Sequence, residues 1–141
     1  MPWPQGWRLK ILPTAVFVVL AGMAAAQPLS TAQAFEDYVS GRTLYFHRGD
    51  GRGVFAAESY LEDGQVRWTE RDGTCIEGAW YARGGLICFT YENNPTPQCW
   101  AVEQATAGLI AVLQNGGFPT RIVETDPGDV TFECLGPKVG V

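Results

Sequence analysis

The only histidine in the chain, His47, would have to supply the imidazole of any Ser-His-Asp or Cys-His catalytic centre. It stands beside Arg48 and Gly49, and no Gly-x-Ser-x-Gly segment flanks it. We therefore expect His47 to be an exposed residue at the end of a strand. We predict that the protein is not an enzyme.

Three groups of neighbouring carboxylates are the remaining candidates for acid–base chemistry: residues 36–37, residues 62–63, and Glu124 with Asp126 and Asp129. A glycoside hydrolase needs two carboxyl groups that face each other across a cleft. Neighbouring acids in turns are more often solvated, so a carboxylate-dependent hydrolase is the least favoured function. The spacing of the acids does not match a calcium loop, and we predict neither a metal site nor a cofactor.

Glu77 differs from these acids because Ile76 and Trp80 flank it in the most aromatic part of the chain. A glutamate in such a strand is expected to be buried, and a buried glutamate is usually paired with a cation. We predict a structural ion pair between Glu77 and Arg67.

Aromatic side chains crowd a stretch of 33 residues, at Trp68, Trp80, Tyr81, Phe89, Tyr91 and Trp100. One interpretation is a stacking wall in the mouth of a barrel, which would bind a small apolar ligand. The other is that the rings fill the core of a small domain. The sequence leaves both open, and the candidate binding residues are Trp68, Trp80, Tyr91 and Trp100.

Residues 1–26 have the pattern of a secretory signal peptide. Arg8 and Lys10 precede an apolar segment, and three alanines end it at Ala26. The apolar run over residues 11–26 is shorter than the roughly 20 residues of a membrane-spanning helix. We predict cleavage after Ala26, a single domain over residues 27–141, and a periplasmic or secreted location.

The charge of the mature chain excludes two classes of partner. Cleavage removes two of the ten basic residues and none of the fifteen acidic ones, so the net charge becomes −7. Nucleic acids and anionic membranes both attract basic surfaces. We predict a monomer that binds neither of them.

All four cysteines lie after the signal peptide, which predicts two disulfides in an oxidising compartment. None of them has the close spacing of a structural zinc site. Spacing alone allows three pairings. Strand alternation places Cys88 and Cys99 on one face of adjacent strands, which favours that bridge and leaves Cys75 to pair with Cys134.

The pattern after the signal peptide predicts an all-β fold. Residues 27–41 contain one short amphipathic helix, with Ser30 or Thr31 as its N-cap and Gly41 as its C-cap. Short strands separated by Asp-Gly and other glycine turns follow, the last of them over residues 130–134. This pattern is typical of an antiparallel meander or small barrel of about seven or eight strands.

The strand register contains one inconsistency. With two-residue loops at Asp63-Gly64 and Asp72-Gly73, Trp68 shares a face with Cys75, whereas Ile76 and Trp80 point the other way. Either both faces are covered or a bulge restores the alternation. We expect a bulge at Gly78.

Two family resemblances follow from specific segments. Residues 78–81, Gly-Ala-Trp-Tyr, resemble the Gly-x-Trp-Tyr signature of lipocalins. The chain also resembles a family of small exported proteins of unknown function from alphaproteobacteria, through residues 35–38, 41–44, 75–80, 88–91 and 97–100 and through Cys134 with Gly136-Pro137. The second resemblance implies a periplasmic or secreted β-rich domain and supplies no catalytic residues.

These observations predict an exported, non-catalytic barrel-like protein that binds a small ligand or another protein. The alternative is an inhibitor or cell-envelope accessory protein that acts through loops such as residues 92–97. The sequence does not identify the ligand or the protein partner.

Overall fold

The structure is a computed structural model that describes residues 1–2, 6, 16–18, 22–51, 53–117 and 120–136. Its helix is α1 (Ala32–Val39). Its strands are β1 (Gln27–Pro28), β2 (Thr43–Arg48), β3 (Val54–Tyr60), β4 (Gln65–Glu70), β5 (Cys75–Arg83), β6 (Leu86–Tyr91), β7 (Asn94–Ala105), β8 (Gly108–Leu113) and β9 (Arg121–Thr125). Most of the predicted signal peptide, including Arg8 and Lys10, lies outside the described residues, so its cleavage stays a prediction.

The strands form one antiparallel sheet that closes on itself. Neighbours pair in the order β1-β7-β6-β5-β4-β3-β2-β9-β8, and β8 also pairs with β7. Strands β2 to β9 therefore make an eight-stranded barrel. Strand β1 is an addition, because Gln27 and Pro28 pair with Gln104 and Glu103 of β7. The predicted fold class is confirmed.

Helix α1 closes one end of the barrel. Thr31 caps it, since its hydroxyl accepts a hydrogen bond from the Ala34 amide at 3.1 Å. Phe35 and Val39, four residues apart on one face, are buried. Phe35 packs edge-on against the Trp80 ring, with 4.8 Å between centroids. The helix ends before Gly41, whose φ of 69° favours glycine, as predicted.

Both Asp-Gly hairpins have three-residue loops, and this difference resolves the register inconsistency. In the first, Tyr60 pairs with Val66 around the loop Glu62–Gly64. In the second, the Glu70 amide donates to the Thr74 carbonyl at 2.8 Å, and Trp68 pairs with Ile76. One extra loop residue reverses the face of every following residue. Trp68 and Ile76 therefore both point inwards, and Cys75 points outwards.

The predicted bulge at Gly78 is wrong. The register of β5 is continuous against both β4 and β6. The irregularities lie elsewhere, between Phe46 and His47 where β2 meets β3, and between Phe89 and Tyr91 where β6 meets β7. With the loop lengths corrected, the alternation needs no bulge in β5.

The segment after β9 crosses the outside of the barrel. The predicted strand over residues 130–134 is wrong, because this segment joins the sheet only through a single bridge between Thr74 and Gly136. The Phe132 ring contacts Tyr45 of β2, at 5.7 Å between centroids, and Cys134 is bonded to Cys75 of β5. The segment is thus attached at both sides of the β2–β5 surface.

Both predicted disulfides are confirmed, Cys75–Cys134 and Cys88–Cys99. Cys88 and Cys99 are directly opposite each other on β6 and β7, with their Cα atoms 4.0 Å apart. The first bridge fixes the segment after β9, and the second joins two neighbouring strands of the barrel wall.

Glu124 of β9 links α1 and the residues that follow it to the barrel. One carboxylate oxygen accepts hydrogen bonds from the Tyr38 hydroxyl at 2.5 Å and the Leu109 amide at 2.8 Å. The other accepts from the Arg42 guanidinium at 2.8 Å. The carboxylate therefore connects α1, the segment before β2, and β8.

We expect Glu124→Gln to destabilise the protein by about 1–3 kcal/mol, because the amide lacks the charge and one acceptor oxygen of the carboxylate. Urea unfolding measures this loss. Glu103→Gln, at an exposed position of β7, is the matched control and should change stability by less than about 0.5 kcal/mol. Equal effects of the two substitutions would contradict the role of Glu124.

Candidate functional site

The barrel encloses a cavity of about 360 Å³ that opens at the end opposite α1. Phe35 of the helix and Leu109 of β8 contribute to its lining at the closed end. The side chains that line it from closed end to opening are mostly apolar or aromatic, and Arg48, Glu70, Asn93, Asn94, Gln98 and Thr120 add polar groups. Most of these polar residues lie at strand ends or in loops remote from the helix.

Three of the four predicted binding residues line this cavity, namely Trp68, Tyr91 and Trp100. The fourth, Trp80, points into the closed end, where it packs against Phe35. The two interpretations of the aromatic residues therefore each describe part of the cluster. Trp80 belongs to the core, whereas the other three form cavity walls.

The wall around Trp68 is continuous with further aromatic rings. Phe46 stacks on Trp68 at 6.2 Å between centroids, and Phe55 lies at 5.8 Å from it. Phe46 and Trp68 are on strands separated by β3, where Phe46 is directly opposite the small Ala56 and Trp68 is directly opposite Glu58. The small side chain leaves space for the two rings to meet.

A carboxylate that the sequence analysis did not identify, Glu58 of β3, also lines the cavity. Its side chain is only 4% exposed. One carboxylate oxygen accepts a hydrogen bond from the Tyr91 hydroxyl at 2.6 Å, and the other accepts from the Tyr60 hydroxyl at 3.3 Å. Glu58 is directly opposite Trp68 of β4. A buried carboxylate flanked by two phenols thus forms the polar centre of an otherwise apolar wall.

Burial raises the pKa of Glu58 to about 7, and the two tyrosine hydrogen bonds only partly oppose this shift. Burial and the proximity of Glu58 raise the pKa values of Tyr60 and Tyr91, so both phenols remain protonated donors. Among the described residues, neither of the two ion pairs, Arg42–Glu124 and Arg67–Glu77, involves Glu58. In the part of the chain that the structure describes, the hydrogen-bond donors to its carboxylate are the neutral hydroxyls of Tyr60 and Tyr91.

The absence of a side chain at Gly78 leaves the space that the Tyr91 ring needs to reach Glu58. Gly78 of β5 is directly opposite Tyr91 of β6. A Cβ atom on Gly78 would lie 2.5 Å from the Thr90 carbonyl oxygen and 2.6 Å from Cδ1 of the Tyr91 ring. The ring therefore lies against the bare backbone of β5, and a glycine is required at this position.

The other candidates from the sequence are placed outside the cavity. His47 lies on β2, half-buried rather than exposed, and its Nδ1 is 2.5 Å from the Arg48 carbonyl oxygen. The predicted Arg67–Glu77 pair is present at 2.5 Å, but it is partly exposed and not buried. Glu77 pairs in register with Arg67 and faces away from the interior residues Trp68 and Ile76.

The residues of the predicted carboxylate groups do not line the cavity. Glu62 and Asp63 are exposed in the first hairpin loop. Asp126 accepts a hydrogen bond from the Gly128 amide within its own turn. Within the described part of the chain, no group of three or more His, Cys, Asp or Glu residues could hold a metal ion.

The residue pattern of β3 contains one signal that points to Glu58. Ala56, Glu58 and Tyr60 alternate on one face of β3, and both neighbours of Glu58 in that row are buried. An acidic residue in the middle of a buried row indicates an unusual environment. Because the predicted register was inconsistent, the sequence did not show which face of β3 is the inner one. This row of residues therefore could not be recognised as buried.

Comparisons of the chain with protein-family models, curated proteins and solved structures found no match. The described residues also include no helix that is long and apolar enough to cross a membrane. The resemblances to lipocalins and to the exported alphaproteobacterial family stay predictions, and the function is argued from the cavity itself.

We expect the stability of the protein to fall as the pH rises from about 4.5 to above 7. Folding raises the pKa of Glu58, so the unfolded chain ionises first and the stabilisation present at low pH is lost through the folded-state pKa. Glu58→Gln removes this titration. Relative to the native protein, the variant should gain about 3 kcal/mol between pH 4.5 and pH 8.5. Urea unfolding at several pH values measures the change.

The matched control for this titration is Glu70→Gln, at an exposed acidic position on the cavity rim. Its stability relative to the native protein should be nearly constant over the same range. A pH-independent difference between Glu58→Gln and the native protein would contradict the raised pKa.

We expect Gly78→Ala to destabilise the protein by about 2 kcal/mol or more, because the new methyl group meets a backbone carbonyl and a ring that cannot both move. Urea unfolding measures the loss. Gly117→Ala, where a Cβ has open space, should be nearly neutral. A neutral Gly78→Ala would show that Tyr91 does not lie against β5.

Proposed function

We propose that this protein is an exported binding protein that holds a small amphipathic ligand inside its barrel. The observation that carries the proposal is the cavity, which combines aromatic walls with one buried carboxylate. Cavities of this kind, mostly apolar with few polar groups, are the common form of small-molecule sites.

The volume of the cavity restricts the ligand. At about 360 Å³ it lies near the lower end of the 300–1,000 Å³ range of ligand pockets. A compound with one ring and a short chain fits this volume, whereas a long lipid does not. The opening opposite α1 favours a ligand that enters with one end first.

The chemistry of the walls supports an amphipathic compound. Trp68 and Trp100 offer aromatic surface to an apolar body. Glu58 in the cavity wall and the rim residues Asn94 and Gln98 offer hydrogen-bonding groups. A purely apolar ligand would leave the Glu58 carboxylate facing hydrocarbon, which is unfavourable.

Export is supported by the two disulfides, because such bonds persist in oxidising compartments. The pattern of residues 1–26 is the second support for export. Together they favour a location outside the cytoplasm, where a binding protein meets small molecules from the medium or the envelope.

The proposal predicts that ligand binding changes the fluorescence of two specific tryptophans. We expect saturable quenching when 4-phenylbutanol, a neutral probe with one ring and a short chain, is titrated into the purified protein. Trp68→Phe and Trp100→Phe should each remove part of the signal, because these rings line the cavity.

The matched control is Trp80→Phe, since Trp80 packs at the closed end against Phe35. This variant should retain most of the quenching. Native mass spectrometry of the same mixtures should show one probe per chain, recovered with unchanged mass. A flat titration and a bare monomer would contradict the proposed function and favour a protein partner at the loops around the opening.

A further inference from the structure

We propose that the ligand presents a protonated amine to Glu58 and lays its apolar body against Trp68 and Trp100. This inference rests on the proposed function, because it specifies the ligand class of the same cavity. Its carrying observation is geometric: a buried carboxylate lines the cavity, and its described hydrogen-bond donors are neutral.

The carboxylate has acceptor sites left for a ligand. Two carboxylate oxygens offer about four lone-pair sites. The hydroxyl groups of Tyr60 and Tyr91 use one site on each oxygen. Each oxygen can therefore accept a further hydrogen bond, and an ammonium group supplies up to three N–H donors. The two tyrosines hold the carboxylate in one orientation for this contact.

Because Glu58 has no cation among its described contacts, a ligand with a positively charged group is favoured over one with a neutral hydrogen-bond donor. A buried carboxylate is usually paired with a cation, because desolvation of an isolated charge is unfavourable. The described ion pairs leave Glu58 out. An ammonium group at Glu58 would complete an ion pair that the described residues do not make, and an anionic ligand would add a second negative charge beside the carboxylate.

The aromatic walls suit the same ligand. Trp68 is directly opposite Glu58 on the neighbouring strand, and Tyr91 is hydrogen-bonded to it. A cation close to aromatic faces is attracted by their negative π surface. The ring faces that bind an apolar body therefore also favour a positive head group near Glu58.

The other charged groups that line the cavity do not replace this cation. Arg48 ends β2 at the opening, where its guanidinium lies over the Phe55 ring at 4.7 Å. Glu70 ends β4 at the same rim. Among the described residues, the groups that hydrogen-bond to Glu58 are the neutral hydroxyls of Tyr60 on β3 and Tyr91 on β6. The chain as a whole carries a net charge of −5, which attracts cations.

Three probes that share one apolar body test the head group: 4-phenylbutylamine, 4-phenylbutanol and 4-phenylbutyrate. Their affinities are measured by tryptophan quenching and calorimetry at pH 5.5 and pH 8.5. We expect the amine to bind at least tenfold more tightly than the other two at pH 8.5. Its affinity should fall at least tenfold at pH 5.5, where Glu58 is protonated while the amine keeps its charge.

Variants separate the role of Glu58 from a general effect on folding. Glu58→Gln should lose at least tenfold in affinity for the amine at pH 8.5 and should still bind the alcohol, which shows that the cavity is intact. Glu103→Gln, at an exposed position of β7 that does not line the cavity, should retain the preference for the amine.

The outcomes distinguish the two proposals. If the alcohol or the carboxylate binds as tightly as the amine at pH 8.5, the assignment of the head group is wrong while the cavity function stands. An amine preference that survives in Glu58→Gln also overturns it. If none of the three probes binds, the proposed function itself fails, and the head-group assignment fails with it.

Discussion

The pairing of β7 with β8 is the constraint on which the rest of the structure depends. Strand β7 is twelve residues long, and it pairs with β6 along its first half, with β8 along its second half, and with β1 near its end. This pairing closes the sheet, so the inward side chains of eight strands enclose one volume. Helix α1 covers one end of the barrel. Glu124 of β9 accepts hydrogen bonds from Tyr38 of this helix and from Leu109 of β8. A cavity and a buried carboxylate exist only because the sheet is closed.

Much of the fold could be predicted from the sequence, because it depends on local signals. The N-cap Thr31, the glycine after α1 and most of the glycine turns have short-range causes, and the structure confirms them. Hairpin loop length was harder, because Asp-Gly occurs in both two-residue and three-residue loops. The extra residue in each loop placed β4 on the wrong face relative to both β3 and β5 in the prediction. The segment over residues 130–134 has a strand-like composition but crosses the barrel wall, which no local signal shows.

The site was harder to predict than the fold for a physical reason. Trp68, Tyr91 and Trp100 were recognised by their side chains, although sequence could not separate them from the core residue Trp80. Glu58 was missed because its environment comes from Tyr91, 33 residues away. That contact in turn needs Gly78 on β5, the strand next to β6. Such an arrangement is a property of three strands together, and it becomes visible only when their register is known.

The central feature of the site is a carboxylate in the cavity wall whose charge is not compensated by any cation among the described residues. The most direct measurement is the pKa of Glu58 from the ¹³C chemical shift of its carboxyl carbon, assigned by comparison with Glu58→Gln. The account predicts a pKa of about 7 in the free protein and a clear fall when 4-phenylbutylamine is added. A pKa near the ordinary glutamate value, unchanged by the amine, would contradict both the buried carboxylate and the ligand that we assign to it.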